Sequence, residues 1–204
     1  MEENNAANPR SVISKPLHIF VMAMFLLVAA LQTGCATMSS TPQPLKFDKF
    51  NLSTSCFSAD DMQVIYRNRY IHDRVLSKKL FKTVTGMCPA KHPDADKGLP
   101  SAYMGPKGYF DAFEGPLAVK WRSLDGAQHS IVLDLDEIFK DRIVRHTEDP
   151  KRVDHDSSHY PVIVVEVNDR TVNLYMDVHV ALNQTETEKR AMNRHRTLIY
   201  SKTM

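Results

Sequence analysis

The stretch TVNLYMDVHV, Thr171 to Val180, constrains the fold more than any other part of the chain. Val172, Leu174, Met176, Val178 and Val180 alternate with Asn173, Tyr175, Asp177 and His179. A period of two sends successive side chains to opposite faces of a strand, so this segment predicts one apolar and one polar face. YPVIVVE, Tyr160 to Glu166, supplies a preceding strand, and Asn168-Asp169 or the residue beside it supplies the turn between them. Further upstream, LAVKWRSL and AQHSIVL flank Asp125-Gly126, a strong hairpin signal. Leu135 to Asp141 reads as a short helix or turn, and the closing RTLIYSKTM as another strand.

Ahead of these strands the pattern reads differently. Ser58-Ala59-Asp60-Asp61 resembles a helix-capping box with Asp in place of Glu, and acids in a first turn suit the helix dipole. Met62, Ile65, Tyr66, Ile71, Val75, Leu76 and Leu80 then follow a helical stripe to about Lys82, with Gly86 and Pro89 beyond it. The expected class is α+β: an antiparallel sheet of about five strands with an N-terminal helix packed on one face. Pro89 to Pro116 holds four of the seven glycines and five of the eleven prolines, so it reads as a long loop. Tyr103, Tyr109, Phe110 and Phe113 give that loop something to bury, and it is the expected partner-binding patch.

The N-terminal region has another character. Ile19 to Leu31 is an uncharged run of thirteen apolar residues, preceded by Arg10 and Lys15. A membrane span needs roughly 20 such residues, whereas the apolar core of a signal peptide has about 7–15. Leu31-Gln32-Thr33-Gly34-Cys35 follows, and then a small, polar, proline-bearing stretch to Pro44 that suits a tether. Gly34 and Cys35 resemble the lipobox of bacterial lipoproteins, although Gln32 stands where that pattern usually has Leu. The resemblance implies cleavage before Cys35, a diacylglycerol on its thiol and an acylated amine. Two or three acyl chains anchor firmly where one binds only marginally. By the same resemblance Ala36, in place of Asp, favours the outer membrane. No Asp, Glu, Lys or Arg occurs between Pro16 and Leu45, so an uncleaved anchor helix is one alternative, and ordinary secretion is the other. The implied organisation is a signal peptide over 1–34, a lipidated Cys35 with its tether over 35–46, and one periplasmic α+β domain over 47–204.

With Cys35 assigned to lipid, Cys56 and Cys88 remain, and an even remainder in an oxidising compartment points to a disulfide. Such a bridge closes a loop of about 33 residues, worth roughly 3–4 kcal/mol in the chain-entropy treatment. Two separate buried thiols are the alternative.

The formal net charge is +2 and stays +2 without residues 1–34, because Arg10 and Lys15 cancel Glu2 and Glu3. A near-neutral domain lacks the electrostatic footprint of a nucleic-acid binder, and Lys78-Lys79 and Arg194-His195-Arg196 read as solvated surface. His155, Asp156 and His159, with His146 and Asp154 nearby, offer metal-ligand types, but prolines bracket a turn-rich segment, so a solvated loop is expected. Ser157 and Ser158 beside His159 lack any G-x-S-x-G elbow. Tyr175, Asp177 and His179 read as a polar strand face, Trp121 as a core anchor, and Lys120 and His129 as surface. No catalytic, cofactor or metal-ligating residue is therefore expected, and the chain is read as a non-enzyme.

Trp121-Arg122-Ser123-Leu124, with its hairpin return and late hairpin, resembles short bacterial lipoproteins of a WxSL type. Some of these resemble immunity proteins against type VI secretion effectors. That resemblance implies a protein-binding module at the envelope, facing the periplasm and held to the membrane through Cys35. The alternative is a structural or assembly lipoprotein with a permanent partner.

Overall fold

The computed structural model describes residues 43–81, 86–95, 109–111 and 113–204. The apolar run, Cys35, most of the tether and Tyr103 lie outside the described residues. From Pro42 onward the chain is one compact unit.

Nine strands and two short helices are described. In chain order they are β1 (Phe50–Phe57), β2 (Ala59–Tyr66), β3 (Arg69–Asp73), α1 (Arg74–Leu80), β4 (Tyr109–Phe110), β5 (Leu117–Ser123), β6 (Gln128–Leu133), α2 (Leu135–Ile138), β7 (Val162–Asn168), β8 (Thr171–Leu182) and β9 (Ala191–Thr203). They form a five-stranded sheet, β4-β1-β7-β8-β9, and a four-stranded sheet, β3-β2-β5-β6. The pairing is antiparallel except between β1 and β7, which run parallel with Leu52 beside Ile163 and Thr54 beside Val165. The expected single antiparallel sheet is thus two sheets, one of them mixed.

The helix expected from Ser58 to Lys82 is a correction. Ala59, Met62, Val64 and Tyr66 are buried, and from Met62 on they alternate with half-buried positions, which is the period of a strand. Asp61, at φ 50°, sits where the register of β2 against β5 shifts, so a bulge changes the spacing between Ala59 and Met62. Arg67 and Asn68 both have positive φ between the paired Tyr66 and Arg69, and so make a tight hairpin turn into β3. Helix begins only at Arg74, where Asp73 accepts from the Leu76 amide at 2.9 Å. The short helix expected after Leu133 is present as α2, capped by Asp134.

Both sheets contribute to one core. Phe50 and Leu52 of β1, Val165 of β7 and Leu174 of β8 join Val64 of β2 and Trp121 of β5. The two sheets thereby bury the apolar faces that neither could leave in water. Two aromatics from the expected loop close one end: Phe113 stacks on Phe50 with centroids 4.4 Å apart, and Phe110 meets Tyr66 edge-on at 5.0 Å. The WxSL residues tie the sheets together at the other end. The Trp121 indole donates to the Asp169 carbonyl at 2.7 Å, and the Leu124 amide donates to the Asp169 carboxylate at 2.9 Å. One hairpin turn is thereby fastened to another.

Cys56 and Cys88 are bridged, with Cα atoms 5.6 Å apart. The Cys88 amide donates to the Ala59 carbonyl at 2.8 Å, and the Ser58 amide to that of Pro89 at 2.9 Å. The segment after Cys88 is thus held against the end of β1, which places Lys91 above the five-stranded sheet.

Candidate functional site

The alternation of β8 is realised as two faces. Val172, Leu174, Met176, Val178 and Val180 enter the core, while Asn173, Tyr175, Asp177 and His179 lie on the other side of the sheet. The register sets Glu166 of β7 beside Asn173, and Asp177 beside Arg196 of β9. Part of this outer face is withdrawn from water: Glu166 is 1% exposed and Asp177 3%, Asn173 and Tyr175 are half-buried, and His179 is exposed.

Carboxylates so buried need partners, since removing a charge from water costs several kcal/mol. Glu166 accepts from Lys91 Nζ at 2.8 Å and from Asn173 Nδ2 at 3.2 Å. Arg196 lies 3.4 Å from Glu166 and 3.7 Å from Asp177, bridging the two carboxylates. Arg194 grips Asp177 in two-pronged fashion, with Nε on Oδ1 at 2.7 Å and its terminal nitrogen on Oδ2. Such forked pairing matches the planar guanidinium to the carboxylate. The Arg196 guanidinium also lies 4.2 Å over the Tyr175 ring, and the Lys91 ammonium 5.4 Å from it. Arg194 and Arg196, expected as solvated surface, are therefore members of an ion network. Lys78 is likewise paired with Asp60 and Asp61.

The opposite side of β9 is polar as well. His195 Nε2 is 2.8 Å from Glu148 Oε1, and Asn193 Nδ2 donates to the same oxygen at 2.9 Å. His146 faces His195 with ring centroids 6.1 Å apart. An open cleft of about 430 Å³ runs beside them, lined by His146, His155, Pro150, Val153, Leu45 and Thr197 among others. Burial pushes the His146 imidazole below its usual value, and the charge of His195 adds to this against the pull of Glu148. The Asn193 hydrogen bond holds the Glu148 carboxyl low; desolvation opposes it and His195 assists.

The other residues singled out in the sequence fall into structural roles. His159 is buried, with Nε2 2.8 Å from the Asp154 carbonyl and Nδ1 3.4 Å from that of His179. His155 lines the cleft with His146 and also borders a smaller hollow with His159. Among the described residues no group of three metal-ligating side chains converges. Ser157 Oγ donates to Asp154 at 2.8 Å, and Arg190 caps the same carboxylate at 2.7 Å, so Asp154 organises this loop.

His129, expected on the surface, is half-buried. It stacks on Trp121 at 5.2 Å and meets Ser123 Oγ at 2.8 Å. Sequence reasoning missed this Ser–His pair, which only the β5–β6 register reveals by setting Trp121 opposite His129. Asp125 bonds the serine and not the imidazole, and Ser123 also reaches the Ala127 carbonyl at 3.2 Å. The trio thus fastens a hairpin turn and lacks the Ser–His–Asp order that activates a nucleophile.

The chain matches no family model, no curated protein and no solved structure.

Replacing Glu166 with Gln removes one charge from a buried network, and its expected cost is about 3–5 kcal/mol in urea unfolding. Lys140→Ala, which breaks the exposed pair with Glu137, should leave the midpoint unchanged. The His146 shift has a definite sign. Unfolded chain takes up a proton as pH falls through about 6.5, while the folded imidazole resists, so the unfolded state binds more protons and stability declines on acidification. Glu148, with its lowered value, adds stability that is lost only as pH falls further, through the carboxylate range. Unfolding free energy should therefore begin to drop as pH falls below about 7, and His146→Gln should flatten the start of that decline while leaving the loss in the carboxylate range.

Proposed function

We propose that this chain is a lipid-anchored envelope protein whose mature domain binds another protein, of the immunity type that blocks an incoming toxin at the membrane. The observation that carries the recognition part is the flank formed by β9. This strand is thirteen residues long, stands last in its sheet, and keeps Met192 65% and Leu198 51% exposed. Exposed large apolar side chains on an ordered strand are the raw material of a protein interface. The anchor part is supported by the apolar run, Gly34-Cys35 and the tether-like stretch after it. The Cys56–Cys88 bridge is in keeping with an oxidising compartment.

A complementation experiment tests the reading. A deletion strain is challenged with each toxin encoded beside the gene, and carries either the full chain or Cys35→Ser. The full chain should restore survival and, extracted from membranes, should have the mass of residues 35–204 plus acyl groups. Cys35→Ser should leave the membrane fraction and protect poorly. Survival of the deletion strain against every neighbouring toxin, together with an envelope-integrity defect, would instead mark a structural lipoprotein.

A further inference from the structure

The outer face of the four-stranded sheet holds an open hollow of about 500 Å³. That size lies within the roughly 300–1,000 Å³ of small-molecule sites. The strand register builds its floor. Lys120 of β5 lies between Gln63 of β2 and Ser130 of β6, and Arg122 lies opposite Gln128. On β5 these two cations alternate with the buried Val119 and Trp121, so they point away from the core. The wall is α1, which contributes Val75. Lys78 on Asp60 and Asp61, and Arg74 on Asp60, pin that helix to the start of β2.

The charges around this hollow do not balance. Asp60 is taken by Arg74 and Lys78, and Asp61 by Lys78 and Arg122. The Lys120 ammonium has no ion-pair or hydrogen-bond partner among the described residues. Arg122 meets Asp61 through one nitrogen, its others have no described partner, and its side chain is 45% exposed. Both cations are therefore within reach of a ligand. The Gln128 amide and the Ser130 hydroxyl likewise have no hydrogen-bond partner among the described residues. Apart from Val75 and Trp121 the lining residues are polar, so the hollow offers little to an apolar side chain. Alternate residues of a strand stand about 7 Å apart. One phosphate group spans that gap with an oxygen toward each cation, and such charge-assisted bonds are the strong ones.

We propose that this hollow binds a phosphorylated sugar, with the phosphate between Lys120 and Arg122 and the sugar hydroxyls on Gln128 and Ser130. The site lies on the other sheet from the β9 flank and does not depend on the protein-binding reading. Its selectivity has two parts. The unpaired charge selects the phosphate, and the neutral amide and hydroxyl beside it select a hydroxylated body over an apolar one. The same headgroup chemistry occurs on a soluble sugar ester and on a phosphorylated glycolipid, and the test separates these sources.

The test reads amide chemical shifts of the full chain in uncharged, sugar-free detergent micelles. Four soluble probes are titrated: glucose 6-phosphate, glucose, glucuronate and inorganic phosphate. Glucose 6-phosphate should shift the amides of Lys120, Arg122, Gln128 and Ser130, and the other three should bind at least tenfold more weakly. Lys120→Gln should keep the circular dichroism of the parent and lose glucose 6-phosphate binding at least tenfold, and Ser130→Ala should weaken it severalfold. Lys140→Gln, an equal loss of charge away from the hollow, should bind as the parent does. No response at millimolar glucose 6-phosphate, shifts confined to another face, or undiminished binding by Lys120→Gln would each overturn the inference. Equal binding of glucose or of glucuronate removes the phosphate from it, and equal binding of inorganic phosphate removes the sugar, and either result overturns it. The same 6-phosphoglucosyl group carried on diacylglycerol is then added to the micelles. Tighter binding of the lipid form assigns a membrane source and tighter binding of the soluble ester a free one, and either upholds the site.

Discussion

Two carboxylates that cannot reach water, Glu166 and Asp177, set the conditions for one side of this domain. Each must be met by a cation or the fold loses several kcal/mol. The cations come from distant parts of the chain: Lys91 from the segment after the disulfide, and Arg194 and Arg196 from the last strand. Meeting that demand fixes two things. The segment carrying Lys91 must lie over the sheet, where the Cys56–Cys88 bridge already holds its start. The final strand must also pair in one register. Only Ile199 and Tyr200, near its end, pack against the core, so along the rest of the strand little apolar burial penalises a one-residue shift. Here a slip would take Arg196 from Asp177 on one face and His195 from Glu148 on the other.

The consequence is an edge strand that is ordered without being sealed. Its side chains are committed inward, to Asp177 and Glu166 above and Glu148 below, and Met192 and Leu198 remain exposed. Rigidity of this kind lowers the ordering cost that a partner must meet on binding. Elsewhere the molecule spends its polar residues on closure. Trp121 and Leu124 bind Asp169, and Ser123 binds within its own hairpin, so the polar atoms of the WxSL stretch serve to clasp the two sheets.

The sequence pattern revealed β5 to β8 well, because β5, β6 and β8 alternate, β7 is a short apolar run buried on both faces, and the turns fall at Asp125-Gly126 or Asp169. It failed at β2, where a bulge at Asp61 disturbs the alternation and two acids imitate a helix start. It missed β1 because Ser53, Thr54 and Ser55 mask the inward Phe50 and Leu52. A strand that pairs in parallel with a partner over a hundred residues away leaves no local signal of that pairing. The polar face of β8 was visible as a face, but its burial was not, since Lys91 and the arginines arrive through tertiary contacts. For the same reason Arg194 and Arg196 look like surface charge in the sequence, although the structure makes them the partners of buried acids.

The most direct test of an ordered, open edge is amide hydrogen exchange along β9 in the protein alone. Amides that donate to β8 should exchange only through large-scale unfolding, while the alternate amides pointing outward exchange orders of magnitude faster. That two-residue rhythm, interrupted near Ile199 where the register shifts, is the result the account predicts. Uniformly fast exchange would mean a frayed strand that the ion network does not hold, and uniformly slow exchange an edge already covered. Either would contradict it.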